Sequence, residues 1–290
     1  MKSKVILNLL LVIVVTGLAL FAILRPAEKK DVGAKLVELK RDQVAKIHIE
    51  HRKGAAIQLE KRSDGWHVIA PFSSRADIGQ VDRVLDLTTA TARQKLPRED
   101  LARFDLDPPQ AKVTLDDHVV AFGRINDITN EQYAATADAV YLVSPFYGYG
   151  IPADAGKLAS RKLLAEDEIP VAFDFGGYQV VRDEKGRWST AGTVPGKSAS
   201  EKSTGELSQD EFNRWADEWR VTYAVAAEPY KSGAGKQRVT LRFKNGKSAI
   251  MQAAEAGAGF TLLRGDENML YRFGAQTGKR LMNPHVAADK

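Results

Sequence analysis

The sequence predicts an α+β protein in which an N-terminal transmembrane helix is followed by two tandem copies of a hairpin-rich antiparallel sheet unit, each with a packed helix. Three observations lead there. An unbroken apolar run occupies Val5 to Leu24. Short stretches of alternating polarity, separated by glycine turns, fill the rest of the chain. The same order of elements then recurs: Trp66 and Trp188, each preceded by a turn, lie 122 residues apart, and Val113-Thr114-Leu115 is answered 126 residues later by Val239-Thr240-Leu241.

The apolar run comes first. Twenty residues at about 1.5 Å each span about 30 Å, the hydrocarbon thickness of a bilayer. Val5, Leu10, Val15, Leu20 and Leu24 mark its length, and no charge interrupts it. A cleaved secretory signal would have a shorter apolar core ending in a small-x-small site, whereas this run ends Phe21-Ala22-Ile23-Leu24-Arg25-Pro26. We therefore expect an uncleaved anchor over residues 1–25 in contact with the lipid bilayer. Lys2 and Lys4 should stay in the cytoplasm. That places a single-pass protein in a bacterial inner membrane, with its soluble region in the periplasm.

Residues 26–35 read as a polar stalk, 36–164 as the first unit and 165–290 as the second, diverged one. In the first, Val44–Glu50 and Ala56–Lys61 alternate around Lys53-Gly54, and Trp66–Ile69 follows the Ser63-Asp64-Gly65 turn. Asp77 is placed to cap a helix with Ile78, Val81, Val84, Leu85 and Thr88 on one face. Val113–Leu115, the Asp116-Asp117 turn, Val119–Phe122, Tyr133–Ala135 and Val140–Val143 complete the unit. In the second, Val171–Phe175, Tyr178–Arg182 and Glu184–Trp188 are expected to repeat the opening strands, with the turn before the tryptophan. Ser208-Gln209-Asp210-Glu211 is a capping box opening a helix with Phe212, Trp215, Ala216 and Trp219 inward. Asn245-Gly246 is a hairpin turn, and Phe260–Leu263 and Leu270–Phe273 finish the set. Gly192–Gly205, rich in Gly, Ser, Thr and Lys, reads as a flexible insertion.

Composition excludes several functions. The net charge of +5 falls to about +3 without Lys2 and Lys4, and no dense basic stripe marks a nucleic-acid surface. Absence of cysteine excludes disulfides, thiolate metal sites and cysteine nucleophiles. His48 and His51 fall on opposite faces of a strand. His48 and Glu50 share a face but make only two ligands, and His67, His118 and His285 lack local partners. Gly148-Tyr149-Gly150-Ile151-Pro152-Ala153 lacks the strand–helix context of a dinucleotide fingerprint, and Ser232-Gly233-Ala234-Gly235-Lys236 lacks the ends of a P-loop. Asp105 and Asp107 should cap amides of a turn. No cofactor and no metal are expected. Phe146, Tyr147 and Tyr149, interleaved with glycine, read either as a loop tucking rings into the core or as an exposed partner-contact loop.

Leu39–Ile47, Asp64-Gly65-Trp66, the helix after Asp77, Phe104-Asp105-Leu106-Asp107-Pro108-Pro109, Ala111–Leu115, Tyr141–Val143 and Arg161-Lys162-Leu163-Leu164 together resemble the family called domain of unknown function 4340. The likeness covers about Leu36 to Leu164, with the second copy a diverged echo. Asp105 stands where the family commonly has glycine. The resemblance implies a bacterial protein with one N-terminal membrane helix and an outward domain, and some relatives are similar to auxiliary components encoded beside ABC transporters, including gliding-motility systems. No catalytic residues come with it. The expected function is therefore a non-catalytic, membrane-anchored periplasmic interaction or scaffold protein, an auxiliary subunit of an ABC-transporter-linked envelope complex that contacts other envelope or transporter proteins. A periplasmic glycan- or small-ligand-binding protein is the alternative, and an envelope hydrolase the third reading.

Overall fold

The structure is a computed structural model and describes residues 33–192, 207–232, 235 and 237–288. The anchor residues Val5, Leu10, Val15, Leu20 and Leu24 lie outside them, as do most of the Gly192–Gly205 stretch and Gly233, Ala234 and Lys236. Among the described residues no helix is long and apolar enough to cross a membrane.

The strands of the first half are β1 (Ala34–Lys35), β2 (Lys46–His51), β3 (Ile57–Arg62), β4 (Gly65–Ala70), β5 (Ser74–Arg75), β6 (Thr91–Ala92), β7 (Gln94–Leu96), β8 (Ala111–Leu115), β9 (His118–Ile125), β10 (Gln132–Ala135) and β11 (Val140–Val143). Apart from the small β1–β6 ladder they form one antiparallel sheet, in the order β5-β4-β3-β2-β8-β9-β10-β11-β7. The second half holds β12 (Pro170–Asp174), β13 (Tyr178–Arg182), β14 (Trp188–Gly192), β15 (Ala226–Pro229), β16 (Gln237–Phe243), β17 (Ser248–Ala256), β18 (Gly259–Arg264) and β19 (Met269–Gly274). Its order is β14-β13-β12-β16-β17-β18-β19-β15. Position for position this is the first sheet without β5. In each, a three-stranded meander is followed by a helix that carries the chain to the far edge, and the chain then returns to pair beside its first strand.

The helices are α1 (Ile78–Leu85), α2 (Pro145–Tyr149), α3 (Gln209–Val221), α4 (Ala275–Met282) and α5 (Pro284–Ala288). α1 starts where the Asp77 carboxylate accepts from the Gln80 amide at 3.2 Å. Its inner face buries Val81, Val84 and Leu85, while Ile78 is 60% exposed. Ile78 occupies the first turn, before the helix settles on the sheet, and so departs from the expected face. In α3 both halves of the capping box form, and the amide and hydroxyl of Ser208 hold the Glu211 carboxyl below the usual carboxylate range.

Two apolar cores result. In the first, Ile47, Ile49, Ile57, Leu59, Val68, Val113 and Leu115 face α1. In the second, Phe173 meets the rings of Trp215 and Trp219 at 4.4 and 5.4 Å. Both indoles donate to the carbonyl of Leu281, which ties α3 to α4.

Other expectations are corrected. The turn expected before Trp188 takes up all of Glu184–Arg187, closed by Asp183 accepting from the Arg187 amide at 2.8 Å, so that the third strand begins only at Trp188. The end of the expected stalk, Ala34–Lys35, is strand β1 paired with β6. Asp105 caps no amide. It accepts from Arg52 and Gln110 side chains at 2.8 Å each and has φ +61°. That left-handed backbone is natural to glycine and tolerated by aspartate. Asp116 braces a hairpin end by accepting from the Lys46 amide at 2.8 Å.

Candidate functional site

Two places gather the features expected of a site: the α2 tip of the first unit and the junction between the sheets.

At the tip, Ser144 accepts from the Phe146 amide, Pro145 sits in the first helical turn, and one turn of helix forms where a loop was expected. The turn is held from below. A Cβ on Gly148 would lie 1.9 Å from Oε1 of Gln132, a buried side chain that donates to the Gly123 carbonyl at 3.0 Å. Only glycine leaves room for that amide. Tyr147 packs against the first core, whereas Phe146 and Tyr149 are 58% and 77% exposed. The three aromatics therefore divide, one ring inward and two outward. Proline and glycine content concealed the helix in the sequence, because both residues are poor helix formers in an interior.

At the junction, the connector 159–168 runs between the units. The Ser160 amide donates to the Arg75 carbonyl at 2.8 Å, and Ala76 and Ala159 form a bridge. On the other side the Ala224 amide donates to the Arg161 carbonyl at 2.8 Å, and Lys162 bridges Tyr223. A buried ionic cluster closes over this segment. Arg75 donates to Glu267 at 2.6 Å and to the carbonyls of Lys162 and Leu163 at 2.8 and 3.1 Å. From the second unit Arg264 donates to the same Leu163 carbonyl at 2.8 Å and to both Glu168 oxygens. The Tyr271 hydroxyl donates to Glu267 at 2.6 Å. Burial works against the charge on Arg75 and Arg264, but Glu267 and Glu168 more than offset it and raise both guanidinium pKa values. Burial, aided by Glu267, raises the Tyr271 phenol as well. Here three carboxylates (Glu168, Asp266, Glu267) converge on two arginines, so that each carboxylate is paired, with Asp266 at the solvent edge of the cluster.

Two cavities flank these elements. One of about 750 Å³ belongs to the second unit, between Glu255, Gly259 and Phe260 and the α4 residues Gly278, Lys279 and Met282. Another of about 440 Å³ sits beside the connector, over Lys162, Glu166, Arg220 and Tyr223.

The histidines find single partners. His48 lies 3.3 Å from Glu50, and His51 lies 2.9 Å from the Pro152 carbonyl. His67 and His118, expected to be alone, face Asp64 at 3.0 Å and Asp117 at 2.6 Å. Asp64 is three residues from His67 across the glycine turn, a spacing the sequence offered. Among the described residues no three His, Asp or Glu side chains group to hold a metal.

No curated protein and no solved structure matches the chain. A family model matches residues 66–222, and this match starts later than the resemblance suggested and crosses the connector into the second unit through α3. With over half its length inside that match, and with the turn–Trp66 step, α1, the connector and α3 all within it, the chain belongs to the family Domain of unknown function (DUF4340).

Proposed function

We propose that the protein is a non-catalytic, membrane-anchored interaction or scaffold subunit. Val5–Leu24 spans the bacterial inner membrane, the two-sheet region lies in the periplasm, and the partners are other envelope proteins, transporter subunits of the ABC class among them. The observation that carries this reading is the α2 tip. Two aromatic rings, 58% and 77% exposed, stand on a helical turn that Gln132 and Tyr147 hold from beneath. Aromatic side chains give large contact area at low conformational cost and are enriched at protein interfaces. A tether adds effective concentration near a membrane complex.

The test places a photoreactive phenylalanine analogue at Phe146 or Tyr149 of the full-length protein in intact cells, with Lys185 as control position. Defined adducts to membrane subunits from 146 and 149, absent from 185, are expected. Identical background at all three positions, with the protein purifying alone in detergent, overturns the reading. A small-ligand or glycan binder is the second reading, favoured by the cavity of about 750 Å³ with Phe260, Glu255 and Lys279 on its walls. It predicts saturable binding that Phe260→Ala weakens.

A further inference from the structure

A chain of two sheets joined by a single connector would ordinarily flex at that connector, since interfaces between domains of one chain are typically modest and polar. This junction is built otherwise. The connector is hydrogen-bonded on both sides, to Arg75 and Ala76 next to β4 and to Tyr223 and Ala224 next to β15. The β4–β5 ladder, the connector and the β15–β19 ladder thus follow one another as a single, irregular hydrogen-bonded series.

The side chains reinforce it. The Leu163 carbonyl is gripped from both units at once, by Arg75 at 3.1 Å and Arg264 at 2.8 Å. Each guanidinium is anchored in turn by a carboxylate, Arg75 by Glu267 of the second unit and Arg264 by Glu168 at the end of the connector. Glu168 closes the loop by accepting from the Ala165 amide at 2.7 Å. These groups are out of water: the side chains of Arg264, Glu168, Glu267 and Arg75 are 3%, 10%, 14% and 15% exposed. Phe72, from the β4–β5 turn, packs against both cores.

We infer that the connector is a locked strap, and that Arg75, by engaging Glu267 and the Leu163 carbonyl together, fixes the two sheets as one rigid body with a set mutual orientation. The physical reason is that swinging the units apart would break at once the bonds of Arg75 to Glu267, to Tyr271 and to the Lys162 and Leu163 carbonyls, and removing one partner of a buried ion pair is strongly disfavoured. This device stands whether or not the α2 tip meets a protein partner.

The chain has no cysteine, so a pair of introduced cysteines labels it uniquely. Val119→Cys on β9 and Ile250→Cys on β17, both 42% exposed, place one spin label on each sheet. Electron–electron distance measurement on the full-length protein in detergent is expected to give one narrow distribution. Arg75→Ala should at least double its width, while near-ultraviolet dichroism of the tryptophans stays unchanged. Glu267→Gln keeps the side-chain shape and should broaden the distribution to a smaller degree, covering the case in which Arg75→Ala does not fold. Lys185→Ala, in the exposed turn between β13 and β14, should leave the width as it is. A broad parent distribution, or widths in both clasp variants equal to the parent's, overturns the inference.

Discussion

Tyr178 is 1% exposed, and its hydroxyl meets no hydrogen-bonding group among the described residues. An unsatisfied buried hydroxyl costs the fold about 1–3 kcal/mol, so Tyr178→Phe is expected to stabilise the protein by about 1 kcal/mol in denaturant titration. The same burial pushes the phenol up to about 12. Below a pH of about 10, the ordinary tyrosine value, the proton is held in folded and unfolded chains alike and stability is unaffected. Between about 10 and about 12 the unfolded chain loses its proton first, so stability falls as pH rises. Tyr178→Phe should remove this residue's share of the alkaline loss, visible as a shallower decline of the unfolding midpoint over that window. Tyr271 shifts the same way, though it has the partners Glu267 and Arg75 that Tyr178 lacks.

At the scale of elements, α3 shows how a strong local signal and tertiary packing agree. The Ser208–Glu211 box starts it, and Phe212, Trp215, Ala216 and Trp219 fill the inner face as their spacing predicts. Trp219→Ala is expected to cost about 3–5 kcal/mol, because a fully buried ring leaves a cavity among Phe173 and Trp215. Trp219→Phe should cost less, since Leu281 keeps its bond from Trp215 at 3.2 Å. Calorimetry of the two variants checks the ranking. The hairpins were equally legible, being written in alternation and in turns such as Gly65 with φ +123° and Gly246 with φ +81°. The edge strands β5, β6, β7 and β15 were not. They have two to four residues each, too few for a period, and exist because a neighbouring ladder offers them partners. The α2 tip was half legible: its aromatics stood out, but which ring turns inward depends on how the turn seats on the first core and on Gln132 of the neighbouring strand β10.

For the whole molecule, the junction is ionic and buried, while pairs such as Arg124–Asp127 and Arg187–Asp183 lie at the surface. Raising salt from 0.1 to 1 M shortens the Debye length from about 10 to about 3 Å, which weakens exposed pairs and leaves buried ones nearly intact. The distance between labels on the two sheets is therefore expected to stay constant over that range. A salt-dependent broadening would locate the coupling at the surface instead.

The α+β class, the hairpin order, both packed helices and the family resemblance are legible in the order of amino acids, because each is encoded in local period, capping or turn chemistry. That order also spells out the apolar run Val5–Leu24. Only the fold reveals that the connector is clasped from both sides, that Glu168 joins Asp266 and Glu267 on two arginines, and that Phe146 and Tyr149 point outward while Tyr147 turns in. Arg75 and Glu267 are 192 residues apart. No local pattern relates residues at such a distance, and only the folded sheets bring their charges into contact.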